Sequence, residues 1–186
     1  RLNIDSVKGK WESALTTVID HPFPHVSSAL VIAGSDRRGA AYAVFDLSRQ
    51  IGVSPWIWWA DVPAKHHAFL AVKDGIYIQK SPSVRYRGIF LNDEGWGLRP
   101  WAAGKMDPQL HNIGPRTYTR IFELLLRLRA NTLWPAMHYR TLPFNAVPEN
   151  AVLADKWGIV MGSAHNEPLL RNNIMTWNRK INGPLD

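Results

Sequence analysis

Two acids directly follow a strand-like apolar run in this chain: Asp93 and Glu94, after RYRGIFL at 85–91 and Asn92. A third, Glu167, follows a shorter apolar run at 159–161, behind His165 and Asn166. Carboxyls at corresponding strand ends suit glycoside hydrolysis, where one protonated carboxyl assists the leaving oxygen and one carboxylate activates water. Inverting enzymes hold such a pair about 6.5–9.5 Å apart and retaining ones about 5–5.5 Å, a distance no sequence supplies. Adjacent strand residues point opposite ways, so one of Asp93 and Glu94 is expected to face the site and the other to anchor its loop. The plainer reading makes each acid a cap at a helix start, as with Glu167 before Pro168.

Around these acids stand groups suited to sugar hydroxyls. His138, Tyr139, His165 and Asn166 each offer a donor and an acceptor. Arg140 follows His138 and Tyr139, and its planar fork would fit a uronic carboxylate; Arg171 is a second candidate. For His138 the alternative is a half-buried ring paired to a carbonyl. Arg85 and Arg87 read as ordinary flanking charges. The chain has nine Trp, and Trp96 and Trp101 lie on one long connection where an indole could stack against a sugar ring. Equally, a Trp fills cores. His66, His67, His138, His165, Asp93 and Glu167 could be combined on paper into a zinc set, but no HExxH spacing occurs and neighbouring histidines rarely share one ion. No metal or cofactor is expected.

The elements that would position these groups are legible in the hydrophobic pattern. SALVIA at 28–33 suits a buried strand, GSDRRG at 34–39 a turn, and 40–50 a helix capped by Ser35 or Asp36 and ended by Gly52. That turn lacks the glycine and lysine spacing of a phosphate loop, so a capped helix start explains it. Residues 53–59 form the next apolar stretch, with Trp58 or Trp59 turned away from the core. Residues 72–79 read as a strand with Asp74-Gly75 as its turn. Ser81-Pro82-Ser83 marks a linker over 81–84, closing a partial α/β domain at 1–80. From 85 the rhythm is strand (85–91), a long connection (95–114), helix (115–129), strand (131–137), helix (148–157) and strand (159–161). Pro135 weighs against an ideal central strand. In a parallel arrangement the strand ends carrying Asp93, His138 and Glu167 share one face. Three strands do not distinguish an open sheet from a barrel.

Composition narrows the function classes. The 186 residues are 46% apolar and 20% charged, which excludes a disordered chain. Twenty-two Lys and Arg against fifteen Asp and Glu give +7, yet the basic residues are scattered and form no block, so nucleic acid is not the expected partner. Without cysteine there is no disulfide or thiolate chemistry, and no run reaches the roughly 18 apolar residues of a membrane span. The chain opens at Arg1, which suggests a piece of something longer.

Three motifs in order resemble glycoside hydrolase family 115, the xylan alpha-1,2-glucuronidases: YRGIFLNDEGW (86–96), YTRIFELLLRLRANTLWPAMH (118–138) and VMGSAHNEPLLRNN (160–173). Residues 34–63 are similar to the end of that family's N-terminal α/β domain. The resemblance implies an inverting hydrolase removing glucuronic acid or its 4-O-methyl ether from xylan. It implies a (β/α)8 (TIM) barrel entered near Tyr86, of which 85–186 would be the first three strands, truncated. Asn92, Asp93 and Glu94 match the first acidic motif, and His165 with Glu167 the third-strand motif. Further essential residues, the general acid among them, would come from later strands, so the piece alone is expected to be inactive and poorly soluble. The expected ligand is glucuronoxylan or an aldouronic oligosaccharide. A homodimer and an extracellular or secreted location are the expectations for the full-length enzyme. A non-catalytic carbohydrate-binding α/β protein is the alternative.

Overall fold

The computed structural model describes residues 2–92, 95–163 and 170. Contacts divide the chain into two compact units, Arg1–Arg85 with Leu126–Arg129, and Tyr86–Leu125 with Ala130–Asp186.

The first unit is built on a strand that hydrophobic runs alone did not reveal. β1 (Ala14–Asp20) reads ALTTVID, and its Thr17 is buried although polar. β2 (Ser28–Gly34) and β3 (Ile76–Gln79) pair with β1 on either side, both antiparallel, in the order β2-β1-β3. The expected strand over 72–79 is thus shorter, and Asp74-Gly75 precedes it rather than turning within it. Within 53–59, residues 55–59 form turns, with Trp58 and Trp59 edge-to-face at 5.0 Å, so the apolar stretch there makes no strand.

α1 (Arg37–Gln50) starts where Asp36 accepts from the Gly39 amide at 2.7 Å. The other oxygen of Asp36 accepts from the Glu12 amide at 2.8 Å. A carboxylate therefore already occupies the positive end of this helix, which disfavours a second anion such as phosphate. Arg38 reaches the fully buried Glu12 at 2.6 Å. Gly39 is needed here on space alone: a Cβ would stand 2.2 Å from the Ser13 carbonyl oxygen.

The second unit holds a parallel sheet of three short strands in sequence order: β4 (Gly88–Phe90), β5 (Thr132–Trp134) and β6 (Val160–Met161). Each is shorter than its apolar run suggests, and Pro135 falls just beyond β5, where its missing amide costs nothing. The connection at 95–114 is not structureless. It contains α2 (Leu98–Trp101) and a wide turn at Ala102–Met106.

Asp107 explains why that connection is ordered. Its side chain is fully buried and accepts from the amides of Gly114, Arg116 and Thr117 and from the Thr117 hydroxyl, at 2.6–3.1 Å. These are the orphan donors at the start of α3 (Pro115–Arg127), capped from eight residues upstream. α3 then buries Tyr118, Ile121, Phe122 and Leu125, spaced as one helical face. Tyr118 meets Phe144 edge-on at 4.9 Å. α4 (Pro148–Trp157) has Pro at its first turn and Gly158 as its left-handed C-terminal residue, φ +70.

One buried residue joins all three strands at their amino ends. The Asn131 amide donates to the Arg87 carbonyl at 2.8 Å, its side-chain oxygen accepts from the Arg87 amide at 3.0 Å, and its carbonyl accepts from the Val160 amide at 2.7 Å. Replacing Asn131 by Ala leaves the Arg87 amide and Thr132 hydroxyl without their acceptor, at a cost of about 2 kcal/mol. Asp107→Ala strands four donors and should cost about 3 kcal/mol or more. Urea unfolding of the two variants checks both; losses below about 0.5 kcal/mol would show that water satisfies these groups.

Candidate functional site

Strand alternation puts Gly88, Phe90, Thr132, Trp134 and Val160 on one face of the parallel sheet, and Ile89, Leu133 and Met161 on the other. Leu133 is fully buried, although Ile89 beside it on the edge strand is exposed, whereas Phe90, Trp134 and Val160 are all exposed, so the face bearing Trp134 is open across all three strands. Gly88 lets β4 approach β5: a Cβ there would lie 1.8 Å from the Thr132 carbonyl oxygen.

At the carboxyl ends of β4 and β5, the two following loops meet. After Phe90 the Leu91 amide donates to the Trp134 carbonyl at 2.9 Å, and exposed Asn92 follows. The chain passes Gly95 at φ +85, a left-handed conformation that favours glycine. A Cβ at Gly95 would come within 3.0 Å of His138 Nδ1, so the absent side chain also makes room for the imidazole. Arg99 of α2 donates to the Gly95 carbonyl at 3.0 Å and holds the loop.

Beyond β5, His138 is half-buried, while Tyr139 and Arg140 are exposed. The imidazole and phenol rings are tilted against each other at 4.3 Å, and the Arg140 guanidinium lies over the Tyr139 ring at 5.1 Å. His138 Nδ1 faces the Arg140 amide at 3.4 Å as an acceptor, which leaves Nε2 to carry the proton of the neutral ring. The result is a contiguous triad of imidazole, phenol and guanidinium. Asn112 pins it from behind: its amide nitrogen donates to the Arg140 carbonyl at 3.1 Å, and its oxygen accepts from the amides of Leu142 and Ile113, each at 3.0 Å.

The structure thus brings His138, Tyr139 and Arg140 together at the strand ends and sets Gly95 of the first loop against His138. Trp96 stands beside them in sequence and is 81% exposed. Asp93, Glu94, His165, Asn166, Glu167 and Arg171 lie outside the described residues. Sequence reasoning missed Asn112, Gly95 and Arg99, whose roles depend on contacts distant in sequence. It also passed over Trp134 as a rim residue, although its place at the end of an apolar run was the available signal. Among the described residues no group of three His, Asp or Glu is placed to hold a metal ion. The one His-x-x-x-His spacing, His21 and His25, falls on the β1–β2 turn, where both residues have positive φ, and not on a helix.

The sequence model of glycosyl hydrolase family 115 matches residues 79–186, more than half of the chain. The chain belongs to glycosyl hydrolase family 115. Family 115 also supplies a solved structure that it resembles: a 4-O-methyl-alpha-glucuronidase, BtGH115A, with specificity for decorated arabinogalactans. That likeness has a TM-score of 0.82 and 46% sequence identity, covering 100% of this chain and 24% of the other. This chain therefore spans about a quarter of that family 115 enzyme's length. No curated protein matches it. The family match includes every residue of the rim just described and all three strands of the parallel sheet.

Asn112 is the testable hinge of this rim. Asn112→Ala removes the acceptor of the Leu142 and Ile113 amides and should cost about 2 kcal/mol. Hydrogen exchange at Leu142 should accelerate at least tenfold in that variant; an unchanged rate would mean another group holds the loop.

Proposed function

We propose that the whole protein is an alpha-glucuronidase, a glycosidase that removes glucuronic acid or 4-O-methylglucuronic acid side chains from xylan by inverting hydrolysis of the alpha-1,2 linkage. The likeness to a family 115 glucuronidase over the full length of this chain carries the reading. Its catalytic domain is then a (β/α)8 barrel beginning near residue 85, with β4, β5 and β6 as its first three strands and 1–80 as part of an α/β domain before it. The open apolar face of Phe90, Trp134 and Val160 supports this, because in a barrel that face turns inward and is covered.

In this reading Asp93, Glu94 and Glu167 supply carboxyls to the reaction. One carboxylate takes a proton from water as the oxygen attacks the anomeric carbon. A protonated acid on the opposite side gives its proton to the departing xylose oxygen, so the configuration inverts. Completion of that pair falls to later strands of the barrel, which makes these 186 residues alone inactive. Asn92, His138, Tyr139, His165 and Asn166 bind sugar hydroxyls, Trp96 offers a stacking face, and Arg140 pairs with the uronate carboxylate. The stack of Arg140 on Tyr139 supports that last role, since it orients the guanidinium before the substrate arrives.

Decorated arabinogalactan is a second substrate reading, favoured by the specificity of the neighbour. The two differ in backbone and share the uronic acid, so release of that acid tests both. In the whole protein Asp93→Asn should lower uronic acid release about a hundredfold or more. Arg140→Ala should raise KM about tenfold with a smaller change in kcat, since a charged hydrogen bond to the substrate is lost. Unchanged turnover in Asp93→Asn would remove that residue from the mechanism. Binding of oligosaccharide with no hydrolysis by the whole protein would favour the non-catalytic alternative.

A further inference from the structure

Where β6 ends, the Gly162 amide donates to the Leu133 carbonyl at 2.9 Å, which continues the parallel ladder by one residue. The backbone at 162 is not left-handed, so conformation does not demand glycine there. Space does. A Cβ at 162 would stand 2.2 Å from Trp134 Nε1 and 2.4 Å from Cδ1, well inside contact distance. The pyrrole edge of the indole occupies the volume that any side chain at 162 would fill. Phe90 meets the same indole at 6.1 Å and 61° from the other neighbouring strand. Main-chain bonds fix Trp134 on both sides as well, from Leu91 to its own carbonyl and from Gly162 to the preceding one.

We propose that Gly162 is a positioning residue for sugar recognition: by lacking a side chain it lets the Trp134 indole lie across the end of β6, as an aromatic surface at the strand ends. The proposal rests on the glucuronidase reading and deepens it, since the ligand is the uronic sugar ring whose C–H face meets an aromatic surface. The main chain at 162 is held by its ladder bond, whereas the indole is joined to its backbone only through two rotatable side-chain bonds. A methyl group at 162 therefore displaces the ring rather than the strand. Gly95 makes the corresponding allowance for His138 on the adjacent loop.

The experiment is a double-mutant cycle in the whole protein, with a glucuronidated xylo-oligosaccharide as substrate. Gly162→Ala and Trp134→Ala should each raise KM about tenfold, the loss of one aromatic contact. The double variant Gly162→Ala/Trp134→Ala should bind no worse than Trp134→Ala alone, because Gly162 acts only through the indole. On the Trp134→Ala background, Gly162→Ala should also cost none of the thermal stability that it costs alone. Effects on KM that multiply in the double variant would overturn the proposal, as would a Gly162→Ala enzyme that loses stability with KM unchanged. If the whole protein released no uronic acid from any substrate, the glucuronidase reading would fail. The stability cycle would still decide the steric claim: no loss in the double variant beyond that of Trp134→Ala supports it and additive loss contradicts it.

Discussion

The clamp at Asn131 governs everything that the parallel sheet presents. Three strands of two or three residues make few ladder bonds, too few to resist slipping against one another. Asn131 adds bonds to Arg87 on one side and Val160 on the other, from a fully buried position. A slip of one residue would turn Phe90 and Trp134 from one face to the other and bury the wrong set. With the register fixed, the first and second strands end level, and their loops meet where Gly95 faces His138. The geometry of the rim is thus set at the opposite end of the sheet, where Asn131 bonds through its main chain to both neighbouring strands and through its side chain to the Arg87 amide.

A second layer of control comes from groups that remove alternatives. Asp36 fills the amino end of α1 with its own carboxylate, and Asp107 does the same for α3 through four hydrogen bonds. Neither helix start is then available to an anionic ligand. Arg140, by contrast, is exposed at the strand ends with its guanidinium over the Tyr139 ring. Glycines work by the same exclusion. At 88 the missing Cβ admits a neighbouring backbone, and at 162 it admits an indole.

Which features were legible in the sequence follows from how local their causes are. α4 was readable to the residue, because Pro148 opens it and Gly158 closes it within the segment itself. α3 was plain as well, from the spacing of Tyr118, Ile121, Phe122, Leu125 and Leu128, although the helix stops at Arg127 and leaves Leu128 exposed. The antiparallel strand β1 was not, because its Thr16 and Thr17 break the apolar run and its burial depends on partners up to 66 positions away, such as the Gln79 carbonyl that accepts from Ser13. The order in the 95–114 connection stayed hidden for the same reason, since Asp107 gains its role only from the donors at 114–117. At the candidate site, His138, Tyr139 and Arg140 stood out by type and by following a strand, and the structure places them side by side. Asn112, which holds them, resembles any loop asparagine until its partners at 140 and 142 are known.

Uronic sugar is proposed to bind at the carboxyl ends of β4, β5 and β6, and a crystal structure of the whole protein soaked with glucuronic acid would locate it. The sugar is expected at this rim, with its carboxylate paired to Arg140 and its ring against Trp134. Glucuronic acid held at a site that touches neither residue would contradict it.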